Sequence, residues 1–219
     1  MLSRQVRTCA SQVSSCRNRP QNRVTASTGS AAYASGVFEA GLVTGSLAMD
    51  DLLASTGAAF RALTMPAFMD NMLRQVRSIK EQGLFSDILS AGLRQPTVAA
   101  RDIAAVAARL LLDPTWSGQE EVPVLGPQDP SADGMAAVMT EVLGLPVRYE
   151  RIPGDALKNQ LTARGVSEAM AQGMLDMMVA ADNGLNLGVT RAPRHEIDTP
   201  TTFRQWCEEA LAPAVRSLA

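Results

Sequence analysis

The feature that most constrains this chain is an alternation, from residue 47 onward, of short apolar runs with longer stretches of helical period. Strand-sized runs interleaved with helix-sized ones imply parallel strands joined by crossover helices, so the expected fold class is α/β. Leu47, Leu52 and Leu53 sit in a helical pattern over 47–56, with Gly57 as its stop. A buried strand is predicted over 58–65, ended by Pro66. A helix follows with Met69, Met72, Leu73, Val76 and Ile79 on one stripe and Gly83 closing it. Residues 84–100 read as irregular structure with short strands. Asp102 then caps a helix carrying Ile103, Val106, Ala107, Leu110 and Leu111.

The pattern repeats in the second half. A strand over 121–125 is broken by Gly126-Pro127, and Ser131 caps a helix with Met135, Val138, Met139, Val142 and Leu143 that Gly144 ends. A strand over 146–151 and helices over 155–163 and 167–181 come next. The second of these helices carries Met170, Met174, Leu175, Met177 and Met178, a face suited either to core filling or to lining a pocket of varied apolar shape. Thr199-Pro200 reads as a cap and first-turn proline opening a last helix through Phe203, Trp206 and Leu211.

Charge narrows the function classes. The 219 residues carry a net charge of −2, but residues 1–38 hold five arginines and no acid, which leaves −7 on the remainder. An acidic body without a basic helix has no electrostatic footprint for nucleic acid, so direct DNA or RNA binding is not expected. The apolar run near 104–112 is interrupted by Arg109 and is too short to span a bilayer, so no membrane partner is expected. Cys9, Cys16 and Cys207 are too few and scattered for a disulfide framework, which fits a reducing, cytoplasmic compartment. His195, the only histidine, reads as a solvated loop residue in the polar stretch 191–199. No histidine metal site or Ser-His-Asp triad is expected, and no metal.

Residues 1–38 lack any hydrophobic period, and the one element read in them is a short strand near 23–26. Three readings stay open: an organellar transit peptide, which would make the compartment mitochondrial, a polar tail, or a wrongly chosen start replacing an N-terminal half. The glycines of this region never reach the spacing of a phosphate-binding loop. Gly41 and Gly45 are read with no strand before them, and G-x-x-x-x-G-K-[ST] is absent.

Several motifs in order carry a resemblance. Residues 60–71 contain Arg61, Pro66, Phe68, Met69 and Asn71 in a run similar to the "R-P-x-x-F-M-x-N" element of NmrA-like proteins, a branch of the atypical short-chain dehydrogenases. Arg101-Asp102-Ile103-Ala104 resembles their "R-D-I-A" helix start. Gly126-Pro127-Gln128-Asp129 with Ser131 is similar to their "G-P-E-x-L-S" strand end, and 199–206 resembles their closing helix. The matches keep order and spacing over roughly 41–213.

The resemblance implies a partial Rossmann-like parallel sheet flanked by helices, with a small helical C-terminal lobe. It divides the chain into a leader (1–38), the remaining part of the Rossmann-like domain (39–118) and a substrate or partner lobe (119–219). It implies NADP or NAD as cofactor, weakly held because the glycine-rich loop is absent, with Met65, Pro66, Ala67 and Phe68 beside the nicotinamide and Asn71 toward a substrate. No catalytic residue is assigned: there is no Tyr-x-x-x-Lys pair, since Val37 follows Tyr33 and Pro153 follows Tyr149 at that spacing. Three functions are consistent with this: a redox sensor or regulator acting through a protein partner, a quinone- or isoflavone-reductase-like oxidoreductase acting on a small molecule with its proton from solvent or Asp70, and an inactive fragment of a longer protein.

Overall fold

The apolar run after Gly57 becomes the centre of the molecule. A computed structural model of the chain describes residues 23–29, 40–187, 189 and 191–218, with 23–29, 195 and 196 described by backbone alone. The run forms β2 (Ala59–Met65), which lies between β1 (Arg23–Gly29) and β6 (Gln119–Pro123), both parallel to it. Phe60 and Ala62 of β2 pack against Met49 and Leu53 of α1 (Leu42–Ser55). Leu63 and Met65, on the other face, pack against Ile103, Val106, Ala107 and Leu110 of α3 (Ala100–Leu112). A strand covered on both faces has no polar side to show, which is why it reads as a nearly continuous apolar run.

Arg61 interrupts that run and is still only 6% exposed. Its guanidinium donates to the carbonyls of Phe60 (3.0 Å), Gly118 (3.1 Å) and Ser117 (3.1 Å). It lies 4.4 Å from the Trp116 ring centroid and 3.4 Å from the Glu120 carboxylate. The burial of this charge is answered by donors used on backbone oxygens and by a ring face, and the arrangement ties the turn before β6 to β2.

Two smaller parallel pairs complete the strands. β3 (Ala67–Phe68) pairs with β5 (Thr97–Val98), and β4 (Leu84–Asp87) pairs with β7 (Arg148–Arg151). A 3₁₀ segment (Met69–Gln75) and α2 (Val76–Gln82) lead into β4, and α4 (Ala132–Leu143) leads into β7. The pair α5 (Gly154–Ala163) and α6 (Glu168–Asp182) follows, then α7 (Arg194–Asp198) and α8 (Phe203–Trp206). The chain runs on through a π-helical turn (Cys207–Leu211) into α9 (Ala212–Ser217). The largest core cluster joins Ile79, Phe85 and Met139 to Phe203, Trp206 and Leu211 of this closing helix.

The described residues form a partial Rossmann-like α/β arrangement with a helical C-terminal region, as the sequence reading has it, with several corrections. Residues 23–29, within the stretch read as a leader, form β1; the rest of 1–38 lies outside the described residues. A strand therefore does precede Gly41. Because β6 pairs with β2 and β4 pairs with β7, the sheets reach across the 118/119 boundary drawn from sequence. The stripe at 69–79 begins as 3₁₀ helix and leaves Leu73 exposed. His195 belongs to a short helix rather than a loop, and its side chain lies outside the described residues. Thr202, not Thr199, caps the closing helix, accepting from the Gln205 N–H at 3.1 Å.

Asp102 is not a cap either. It sits in the first turn of α3, is 6% exposed, and accepts from the Thr201 N–H (3.0 Å) and hydroxyl (2.8 Å). The Thr201 oxygen in turn accepts from Arg101 Nε at 3.0 Å, and Arg101 pairs with Glu209. The "R-D" motif thus fastens the closing helix to α3.

The entry to α1 depends on a close approach. Gly41 has φ of 54°, and a Cβ built on it would collide with the carbonyl oxygen of Gly173 in α6. Gly57, with φ of 71°, has open space around it. Gly57→Ala should therefore cost only the left-handed strain, about 1–2 kcal/mol, and Gly41→Ala distinctly more, as read by urea unfolding of both. Asp102→Ala leaves the buried Thr201 N–H and O–H with no acceptor and should lose about 2–4 kcal/mol. Asp102→Asn, which keeps an acceptor, should lose less in the same titration.

Candidate functional site

Open parallel sheets bind ligands at the carboxyl ends of their strands, so the site is sought there. A cleft of about 250 Å³ between α1 and β6, lined by Asp50, Asp51, Glu120 and Glu121, opens at the opposite, amino end of β2 and β6.

At the carboxyl end of β2, Met65 and Pro66 are buried, Ala67 is exposed and Phe68 is half-buried against the α3-facing core. Of the four residues expected beside a nicotinamide, Ala67 and part of Phe68 are therefore the ones that present side chains. Asn71 is exposed on the 3₁₀ segment. Its neighbour Asp70 accepts from the Ala100 N–H at 2.8 Å, capping α3 from a distance. That bond gives Asp70 a structural task in place of proton delivery.

The adjoining loop after β6 is held firmly. Val124 N–H donates to Thr64 O and Gly126 N–H to Thr97 O, each at 2.9 Å. A Cβ on Gly126 would run into that same Thr97 oxygen, so only glycine lets the loop lie against β5. Thr199 Oγ1 donates to Leu125 O, and Arg191 donates to Gly126 O (3.0 Å) while gripping both carboxylate oxygens of Asp129. The "G-P" motif is thereby anchored to the segment before the closing helix. The hydroxyls of Thr64 and Thr97, 1% and 3% exposed, have no hydrogen-bond partner among the described residues.

A second group of residues gathers at the carboxyl ends of β4 and β7, where Asp87 and Arg151 are register partners. Tyr149 packs its ring against Phe85 (5.1 Å between centroids) and has its hydroxyl 2.7 Å from Leu89 O and 2.9 Å from Asp87 O. Burial, then the nearby Asp87 carboxylate, raises the Tyr149 pKa above the usual phenol range, so the phenol stays neutral with its O–H directed at those two carbonyls. Arg151 donates from Nε to Ile88 O (2.8 Å) and from Nη2 to Asp182 (2.8 Å). Asp182 also accepts from the Ser90 N–H (2.6 Å) and hydroxyl (3.2 Å).

Arg151 and Asp182 border a cavity of about 430 Å³ whose wall also includes Ile88, Ile152, Pro153, Val179 and Asn183. Burial, opposed by hydrogen bonds from the Ile88 and Leu89 backbone and reinforced by Asp182, raises the Asp87 pKa to about 6. Sequence reasoning missed this cluster. Tyr149 was weighed only for a lysine four residues on, and nothing local in Asp87 or Asp182 announces that a parallel pairing brings them together.

Other chemistry is limited. Burial pushes the Cys207 thiol up to about 12, which leaves it inert as a nucleophile. Among the described residues no group of three His, Cys, Asp or Glu side chains is placed to hold a metal ion, and no helix is long and apolar enough to cross a membrane. The raised pKa of Asp87 has a signed consequence. The folded chain keeps this proton up to pH about 6, whereas the unfolded chain releases it near 3.8, so its ionisation lowers stability as pH rises across that window. Asp87→Asn should melt progressively higher relative to wild type from pH 4 to 6, with a constant difference above 7, in thermal scans of both proteins.

No family model matches the chain. It is 34% identical over 134 residues to an NAD(P)H azoreductase of Xenophilus azovorans, a match covering 61% of this chain and 46% of the relative. The chain spans about half the length of the curated relatives it matches. Among solved structures, it superposes on a triphenylmethane reductase of Citrobacter sp. with a TM-score of 0.71 at 19% identity, covering 91% of this chain and 68% of that one. It superposes on NmrA, a negative transcriptional regulator, with a TM-score of 0.61 at 10% identity, covering 90% and 66%. The sequence likeness covers less than half of the azoreductase, and the two solved structures share the Rossmann-like α/β fold of this chain.

Proposed function

We propose that the chain carries the acceptor-binding part of an NAD(P)H-dependent oxidoreductase. The observation behind this reading is the cavity at the carboxyl ends of β4 and β7, with an apolar wall and a few convergent polar groups. The likeness to a protein named for NAD(P)H-dependent reduction of azo compounds supports the same reading.

The fit of a nicotinamide dinucleotide divides in two. Exposed Ala67, the open part of Phe68 and Asn71 offer a surface for the nicotinamide end. A bound nicotinamide would supply hydride there, and these residues would orient it and shed water from its face. The pyrophosphate end has no matching cradle among the described residues. The glycine that opens α1, Gly41, faces the backbone of α6 rather than an open cleft, so that helix start is not a phosphate seat.

A second reading, a redox sensor that binds the dinucleotide and acts through a protein partner, is favoured by one observation. Asp70 and Tyr149, two proton-donor candidates, are both committed to structural bonds. An acceptor that draws its proton from solvent keeps the oxidoreductase reading alive.

Loss of even two charged backbone contacts at about 1.5–3 kcal/mol each weakens binding by roughly two to four decades. NADPH and NADH should therefore bind saturably but weakly, raising the melting temperature, in titrations that follow nucleotide fluorescence. Ala67→Trp should abolish the binding without lowering the melting temperature of the free chain. Oxidation of bound NADPH on adding an azo dye supports the oxidoreductase, and binding without oxidation supports the sensor. A cooperatively folded chain that binds neither nucleotide overturns both.

A further inference from the structure

A surface helix ordinarily keeps its apolar residues on the buried side and shows charge to water. The helix α3 departs from that pattern. Ile103, Val106, Ala107 and Leu110 face the β2 core, as expected. Its outer side then presents Ala104, Ala105, Ala108, Leu111 and Leu112, all exposed, with Leu111 at 58% and Leu112 at 82%. Arg109 is the one charged residue between Asp102 and Asp113, and Asp198 of α7 accepts from its Nη2 at 2.8 Å. Next to Asp198, Ile197 is 81% exposed. A helix that is apolar on every side belongs in an interior or an interface. We infer that the outer face of α3 joins two copies of this chain in a symmetric dimer, the two helices antiparallel across Ala108.

The spacing on this face favours a second copy as its cover. Ala104 and Leu112 stand four residues either side of Ala108, and Ala105 and Leu111 stand three. Residues three and four apart share a helix face, so all five form one surface. A second α3, related by a two-fold axis through Ala108, sets each small residue against a large one. Ala104 meets Leu112 of the partner subunit, and Ala105 meets Leu111 of the partner subunit. The small side chain at the axis lets the backbones approach, and the leucines fill the space that the alanines leave. Charge agrees with the same arrangement. Arg101, exposed at the start of the helix, comes over the end of the partner helix, where Asp113 of the partner subunit stands. Arg109 is already neutralised by Asp198. A patch that complements itself is what a closed two-fold interface requires.

Residues 1–22 of the same chain are the competing cover. They would bring four arginines and no acid to a face whose own charges are Arg101 and Arg109, so charge opposes them where it supports a second copy.

Sedimentation equilibrium of the full chain tests this. A species of twice the chain mass should form reversibly with micromolar affinity, as befits an interface of one helix pair. Ala108→Arg and Ala108→Glu each place like charges face to face at the axis and should weaken the dimer at least tenfold. An equimolar mixture of the two variants should dimerise again, because arginine then faces glutamate. Both residues are good helix formers at an exposed position, so the circular dichroism of the separate variants should match wild type. Met170→Arg, on a residue of α6 that is 47% exposed, should leave the dimer within twofold. A wild type that stays monomeric, assemblies that grow past the dimer, indifference to Ala108→Arg, a mixture that remains monomeric, or an equal loss with Met170→Arg would each overturn the inference. A monomeric wild type whose melting temperature falls with Ala108→Arg would overturn it in favour of residues 1–22 as the cover.

Discussion

The closing helix stays on the molecule through a buried carboxylate. Asp102 reaches from the first turn of α3 to take both the N–H and the hydroxyl of Thr201, while Thr199, two residues earlier, donates to the carbonyl of Leu125. These bonds connect the β2-centred sheet to the segment that introduces Phe203, Trp206 and Leu211 into the largest core cluster. A two-stranded parallel sheet such as β4–β7 cannot bury itself, and it is stable here because that cluster covers Phe85 and Val147. Asp102 is costly to bury, and its two donors offset that cost only while Thr201 is in place. Helix position and carboxylate burial therefore stand or fall together.

The same logic orders the candidate site. Arg191 and Thr199 hold the loop after β6, and Gly126 seals it against Thr97. Asp182 performs a comparable task at the other strand pair, gathering Ser90 and Arg151 around one carboxylate. In both places a charged group from the C-terminal lobe bonds to backbone at the end of a strand. The polar groups lining the carboxyl ends are thus largely spoken for by structure, which is why no residue there emerges as a ready proton donor.

What was legible in the sequence was local. Ser131 caps α4 by accepting from Gly134 N–H at 3.1 Å, Gly83 and Gly144 close their helices, and the covered strand announced itself as an apolar run. These signals depend on neighbours within a turn or a pleat, so spacing encodes them. Asp102 looked like a cap because a helix start with an acid is the commonest local pattern, yet its partner is 99 residues away. The Thr199 hydroxyl likewise spans 74 residues to a carbonyl, and no periodicity encodes such a bond. Arg61 was legible as part of a motif but not as a buried group, because two of its three carbonyl partners and Trp116 come from a turn more than fifty residues on. For the site, the motif led to the loop 65–68, and burial of Met65 and Pro66 then halved the side chains available there.

The methionine face of α6 raised two readings, core or pocket wall, and packing gives each a share. Met177 joins the small cluster beneath α1 with Ala40 and Val43, whereas Met170 remains exposed and Met174 and Met178 half-buried. No residue of α5 is buried, and only Ala171 and Ala180 of α6 are. This helix pair therefore contributes little to the core, and elements with few buried apolar contacts open at the lowest free-energy cost. It is also the pair that supplies Gly154 and Val179 to the cavity. Asp102 and Asp182 meanwhile hold the segments at the strand ends through bonds that reach across the chain. The charged tethers are concentrated at the strand termini, and the sparsely buried residues in the helices that face them.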